Sequence, residues 1–141
     1  MATGKLSLES DHQKKYFSWV REMREKDGRY KNIFATFNGA WVAGTGSRKF
    51  ALINSYKAQG LENGVLDIVI SCPCGPYHGM YIELKKPDDY KVSLEQEDWI
   101  RRHNWYGYRA IVCFGWESAK KNTEIYFALG EFNLNTPRLE D

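Results

Sequence analysis

The sequence predicts an α/β fold, a mixed sheet flanked by helices, and three observations predict it. Helix and strand patterns follow one another in the order α-β-α-β-β-α-β-α, the succession of a layered α/β sandwich. Tyr16, Phe17, Trp19, Val20 and Met23 form an apolar stripe at helical spacing. The run YRAIVCF, Tyr108 to Phe114, is almost continuously apolar, as expected of a strand buried inside a sheet. Length agrees with one domain: 141 residues bury a real core without disulfides or zinc.

Each element has its own signal. Met1 to Leu8 is polar and short enough to fray, so residues 1–8 read as a disordered N-terminus. Ser10 opens the first helix, with Gln13 three residues on as a capping-box partner and Gly28 near its end. IFATF, Ile33 to Phe37, is a short strand, and NGAWVAGTGSRK after it is a loop of small residues. Arg48 to Gln59 is helical, with Phe50, Leu52, Ile53 and Tyr56 on its buried side and Gly60 at its end. Gly64 to Lys86 reads as two strands joined by a loop, stopped by Pro87. Ser93 then caps a helix, Gln96 stands at the capping-box position, and Gly107 suits the C′ position. Leu94, Trp99, Ile100 and Tyr106 are its apolar residues. After the YRAIVCF strand, Gly115 breaks the chain and Trp116 to Leu129 forms a last helix with Ala119, Tyr126 and Phe127 inward. Asn122 and Thr123 weaken that helix. The domain therefore spans residues 9–130, and 131–141 is an irregular polar tail.

Charge and cysteine usage exclude little but direct the search. A net charge of +2 does not by itself indicate a nucleic-acid partner. Its distribution matters more, in the pairs Lys14-Lys15, Arg48-Lys49, Lys85-Lys86, Arg101-Arg102 and Lys120-Lys121. Gathered on one side they make a phosphate-binding surface; scattered, they are a solvated face. Three cysteines, an odd count, and no signal peptide suggest a reducing cytoplasm. No apolar run approaches the roughly 18 residues of a membrane span. Cys72, Cys74 and His78 lie close together, but their spacing is not that of a zinc knuckle. Pro73, Gly75 and Pro76 among them make a loop tip the better reading.

The chemistry concentrates between Gly64 and Lys86. Side chains alternate along a strand, so Glu83 and Lys85 share one face and Leu84 takes the other. If the two strands pair as a hairpin, Asp67 joins that face, and two carboxylates and a lysine converge. A core strand has no need of this; a metal-dependent hydrolase has. Phosphodiester hydrolysis needs a metal to polarise the phosphoryl oxygen and stabilise developing charge. Magnesium takes carboxylate oxygens and keeps several waters. Asp67 and Glu83 would supply the carboxylates, the Leu84 carbonyl a third ligand, and Lys85 would orient the attacking water. The plainer alternative is a solvent-facing Asp67 and a surface Glu83–Lys85 pair.

The runs GLENGVLDIVI, GMYIELKK and SLEQEDWIRRHNWYGYRAIVCFG resemble the VRR-NUC domain of the PD-(D/E)XK nuclease superfamily. FNGAW and the opening SDHQKKYFSWV extend the resemblance, which covers about residues 9–130. Leu66 stands where the family commonly has proline. The resemblance implies a restriction-endonuclease-like fold and a nuclease that hydrolyses DNA with Mg2+ or Mn2+. It implies Asp67 and Glu83 as metal ligands, Lys85 as catalytic lysine and Gln96 as the glutamine supporting the site from the next helix. The bland role of Gln96, capping the helix begun by Ser93, is compatible with this. An acid near the first helix start, Asp11 or Glu9, would complete the site, and Gln13 is a neighbour to consider.

The leading expectation is a metal-dependent DNA endonuclease. A domain this small favours structure-selective cutting of branched or junction DNA, and two-fold branched substrates suit a homodimer. Lys86, Arg101, Arg102, Arg48 and Lys49 are the candidate DNA contacts. A catalytically inactive DNA-binding module of the same fold is the alternative, and it has no need of Asp67, Glu83 and Lys85 together. A third reading is a protein adaptor using Trp41, Trp105 and Trp116.

Overall fold

The computed structural model describes residues 8–37 and 45–140. Residues 1–7 of the expected frayed segment 1–8, and residues 38–41 of FNGAW with Trp41 among them, lie outside the described residues. Among the described residues, four helices and four strands follow in the expected order: α1 (Glu9–Arg24), β1 (Ile33–Ala35), α2 (Gly46–Ala58), β2 (Ile68–Ile70), β3 (Met80–Lys85), α3 (Leu94–Trp105), β4 (Arg109–Phe114) and α4 (Trp116–Ala128). A 3-10 turn, Gly28–Asn32, precedes β1, its first free amide taken by the Asp27 carboxylate. No described helix is long and apolar enough to cross a membrane.

The sheet has the order β1-β2-β3-β4. β1 and β2 pair antiparallel, as do β2 and β3, while β3 and β4 run parallel. It is the mixed sheet that the pattern predicts. The two sides of β3 face different layers. Met80, Ile82 and Leu84 join Tyr16, Val20, Ala119 and Tyr126 in the core, so α1 and α4 cover that face. Tyr81 points the other way, into the rings of Trp99, His103 and Tyr108, so α3 covers the second face.

Several expectations are corrected. Helix α1 starts at Glu9, with Leu8 in the cap position and no side-chain cap, so the Ser10–Gln13 capping box does not form. Packing of Tyr16, Trp19 and Val20 holds the helix instead. It ends at Arg24, before Gly28. The first strand stops at Ala35, because Phe37 adopts a left-handed backbone (φ 46°) that no strand continues through. Thr123 strengthens α4 rather than weakening it: its hydroxyl donates to the Ala119 carbonyl and accepts from the Tyr16 hydroxyl at 2.8 Å, tying α4 to α1.

The largest correction concerns α2. Its expected core face is open to solvent: Phe50 is 70% exposed, and Leu52 and Tyr56 are exposed as well. None of its 13 residues is buried. An isolated helix shorter than about 12–15 residues is marginal in water. Helix α3 is corrected in part. Leu94 and Tyr106 are exposed, and the helix is held by Trp99 and His103, stacked on each other with ring centroids 4.2 Å apart and both set edge-on against Tyr81 of β3. An aliphatic pattern hides that anchor because histidine does not count as apolar. The segment 131–140 carries no helix or strand, yet it is fastened: Asn133 N–H donates to the Gly75 carbonyl and Leu139 N–H to the Tyr77 hydroxyl.

Two glycines shape the surroundings of the β3 end. At Gly64 (φ 83°) an added Cβ would lie 2.5 Å from the Glu95 backbone, so only glycine lets this turn press against the start of α3. Gly115 (φ 92°) turns the chain from β4 into α4, and its amide extends the parallel ladder by donating to the Lys85 carbonyl at 2.7 Å.

Candidate active site

The site grows from the place where β2 runs out. Pairing begins at Ile68↔Ile82, and one step before it the same register sets Asp67 opposite Glu83. Opposed residues on one sheet face have Cβ atoms about 5 Å apart. Beyond the paired residues, the Leu84 amide donates to Asp67 Oδ2 at 2.9 Å. A strand residue's amide and carbonyl leave on the same edge, so the Leu84 carbonyl emerges beside the Asp67 carboxylate. Asp67 itself is held by the residue that follows β1: the Thr36 amide donates to its carbonyl at 2.9 Å, and the Thr36 hydroxyl to the Leu66 carbonyl at 2.7 Å. Leu66, where a proline was the family expectation, is fully buried.

Glu83 is 2% exposed. Its Oε2 accepts from Gln96 Nε2 at 2.8 Å and lies 3.4 Å from Lys85 Nζ. Gln96 is fixed for this task by its other end. Its Oε1 accepts the Ser93 amide at 3.1 Å while the Ser93 hydroxyl accepts the Gln96 amide, a complete capping box. With Oε1 so engaged, Nε2 can only face Glu83. Capping and site support are thus the same side chain in one orientation. Lys85 Nζ also lies 3.9 Å from Glu9 Oε1. Of the two acids at the start of α1, Glu9 is the one that reaches Lys85.

The electrostatics are those of a crowded, dry carboxylate pair. Burial, and then the neighbouring Asp67 charge, push Glu83 up to about 8 against the pull of Lys85. Asp67 is also raised by burial, offset by the Leu84 amide, by a hydrogen bond with Glu83 and by Lys85. Glu9 is raised by burial, with Lys85 opposing. Glu83 Oε1 is buried and has no donor among the described residues. Asp67 becomes its partner only when a proton lies between the two carboxyls. That orphaned oxygen is what a cation between them would engage.

The donors fit a hard divalent ion: carboxylate oxygens and one main-chain carbonyl, with no thiolate or imidazole. No group of three or more His, Cys, Asp and Glu among the described residues is arranged to hold a metal by side chains alone. An ion here would complete its shell with the carbonyl and water, as magnesium characteristically does. Cys72, Cys74 and His78 form no such group, and the His78 ring packs on Tyr108 and Phe132.

The other candidates are dispersed. Lys86 follows β3 and is partly buried. Arg48 and Lys49 open the exposed helix α2. Arg101 and Arg102 lie on the solvent side of α3 and both engage Asp98, leaving one net positive charge there. Asp11 and Gln13 lie on α1, where Asp11 forms no ion pair with Lys85 among the described residues and Gln13 lines a groove beside β1. Trp105 is 84% exposed, while Trp116 packs against the core. One group was missed: Asp89, whose nearby charge helps to raise the Glu9 carboxyl and whose own carboxyl is lowered by the Lys91 amide, which donates to Oδ1 at 3.0 Å. The polar run PDDYKV was legible only as a loop.

A solved structure of a VRR_NUC domain protein matches this one with a TM-score of 0.77 and 22% sequence identity, covering 96% of this chain and 100% of that chain. The fold is therefore that of a VRR_NUC domain. No family model matches the sequence. No curated protein matches it.

The raised pKa has a consequence for stability. Glu83 ionises near 4.5 in the unfolded chain and at about 8 in the fold. The folded state thus keeps a proton that the unfolded state loses, and stability falls as pH rises through that window. Without divalent metal, Glu83→Gln is expected to raise the melting temperature above pH 8 by several degrees, about 1–3 kcal/mol, and to change it little near pH 4. Thermal melts across that range check this; a pH-independent difference contradicts it.

Proposed function

We propose that this chain is a divalent-metal-dependent nuclease that hydrolyses DNA phosphodiester bonds. The observation that carries the reading is the buried Asp67–Glu83 pair with the donorless Glu83 Oε1, beside Lys85. Two packed carboxylates with one ammonium near them are a poor structural device and a good cation site. The VRR_NUC fold agrees with it.

Asp67, Glu83 and the Leu84 carbonyl would hold Mg2+ or Mn2+. The bound ion supplies polarisation of the phosphoryl oxygen and neutralises charge that develops on it. Asp67 is kept aimed by the Leu84 amide, and Glu83 by Gln96. Lys85 orients the attacking water and stabilises the hydroxide, and Glu9 limits where its ammonium sits. Glu83 gives up its proton when the ion enters.

Branched or junction DNA is the proposed substrate, and a homodimer the working form. The second copy is supported by α2, whose exposed Phe50, Leu52 and Tyr56 have nothing within the chain to cover them among the described residues. A C2 pair would bring two such faces together. By light scattering, the protein is expected at twice the chain mass and Phe50→Asp at the chain mass; a monomer at all concentrations contradicts the dimer.

The activity itself is tested on duplex, flap and four-way-junction DNA with Mg2+ or Mn2+. Cleavage is expected, strongest on branched forms, and is expected to fall at least ~10²-fold in Lys85→Ala and Asp67→Asn with binding retained. Folded protein that binds these DNAs and cuts none of them would make it a binding module instead.

A further inference from the structure

A groove of about 450 Å³ runs between α1 and the edge strand β1. Its floor and rim are Phe17, Phe34 and Phe37, with Phe34 49% and Phe37 63% exposed. Lys14 and Arg21 stand along its α1 side, both exposed, and the buried Gln13 amide lies in the same wall. Arg24 closes the far end by donating to the Ile33 carbonyl at 3.4 Å. The near end is joined to the candidate site along the chain. Ser10, which lines it, follows Glu9, and Phe37 follows Thr36, whose amide holds Asp67. From Ser10 to Arg21 the helix rises about 16 Å, room for a few nucleotides.

Aromatic faces beside cations are what an unpaired nucleic-acid strand uses: bases stack on rings, and phosphates meet Lys and Arg. A duplex buries its base faces and cannot use them. We propose that this groove takes an unpaired strand leading from the cleavage centre, with bases against Phe17 and Phe34 and phosphates on Lys14 and Arg21. The inference rests on the nuclease reading and narrows its substrate to DNA that carries a single-stranded arm. A peptide added to the β1 edge fits less well. That edge is three residues long, it ends at the left-handed Phe37, and its flank is cationic.

The test measures fluorescence anisotropy of a labelled single strand and of a blunt duplex of the same length, without divalent metal. Wild-type protein is expected to bind the single strand. Phe34→Ala is expected to weaken that binding roughly 5- to 50-fold and leave duplex binding unchanged. Lys14→Ala, at an exposed position that does not bear on folding, is expected to reduce the salt slope for the single strand by about 0.7. Single-strand binding that is absent, or that survives both substitutions unchanged, overturns the proposal and leaves the groove to a peptide. Cleavage with unaltered Phe34→Ala binding sinks the groove alone. Groove-dependent binding without cleavage sinks the nuclease reading alone.

Discussion

Two carboxylates buried as cross-strand neighbours set the terms for everything around them. Asp67 and Glu83 face each other at the end of the sheet, and their mutual repulsion in a dry setting is relieved by protonation, by a lysine or by a metal ion. Each nearby contact answers that problem. The Leu84 amide takes one Asp67 oxygen, Gln96 takes one Glu83 oxygen, and Lys85 lies against the same oxygen of Glu83. Glu83 Oε1 stays buried without a donor among the described residues. Removing a single partner from so confined a pair costs more than the partner's own interaction, because the charge left behind stays buried.

The fold makes this arrangement by stopping a strand early. Were β2 longer at its start, Leu84 would spend its amide and carbonyl on a ladder, and no edge would be open beside Asp67. β3, by contrast, is supported to its last residue by β4 and by the Gly115 amide, so Glu83 and Lys85 stand on a rigid platform. Helix α3 brings its capped first turn over that platform, and the same hydrogen bonds that start the helix orient Gln96. Structural and chemical roles coincide at that residue. Rigidity inside the site contrasts with α2, where hydrophobic side chains are offered to solvent.

Much of this was legible in the sequence because it follows from period. Alternation placed Glu83 and Lys85 together, and the S-x-x-Q spacing revealed the α3 cap. The pairing register that sets Asp67 opposite Glu83 needed coordinates, since a hairpin of other register would have turned it away. The choice between Glu9 and Asp11 depended on where α1 begins, and helix starts held by packing leave no capping signal to read. Periodicity in α2 reported which side chains form an apolar face, not whether anything lies against it. The α1–β1 groove joins residues such as Lys14 and Phe34 that no local pattern links.

The central claim is that the Asp67–Glu83 pair is a cation site kept partly protonated until the ion arrives. Calorimetric titration with Mn2+ near pH 7, repeated in buffers of different ionisation enthalpy, counts the protons released on binding. With Glu83 held at about 8, binding at one site should release close to one proton, and Glu83→Gln should abolish that release. Saturating binding with no proton release, or release that persists in Glu83→Gln, would contradict the account.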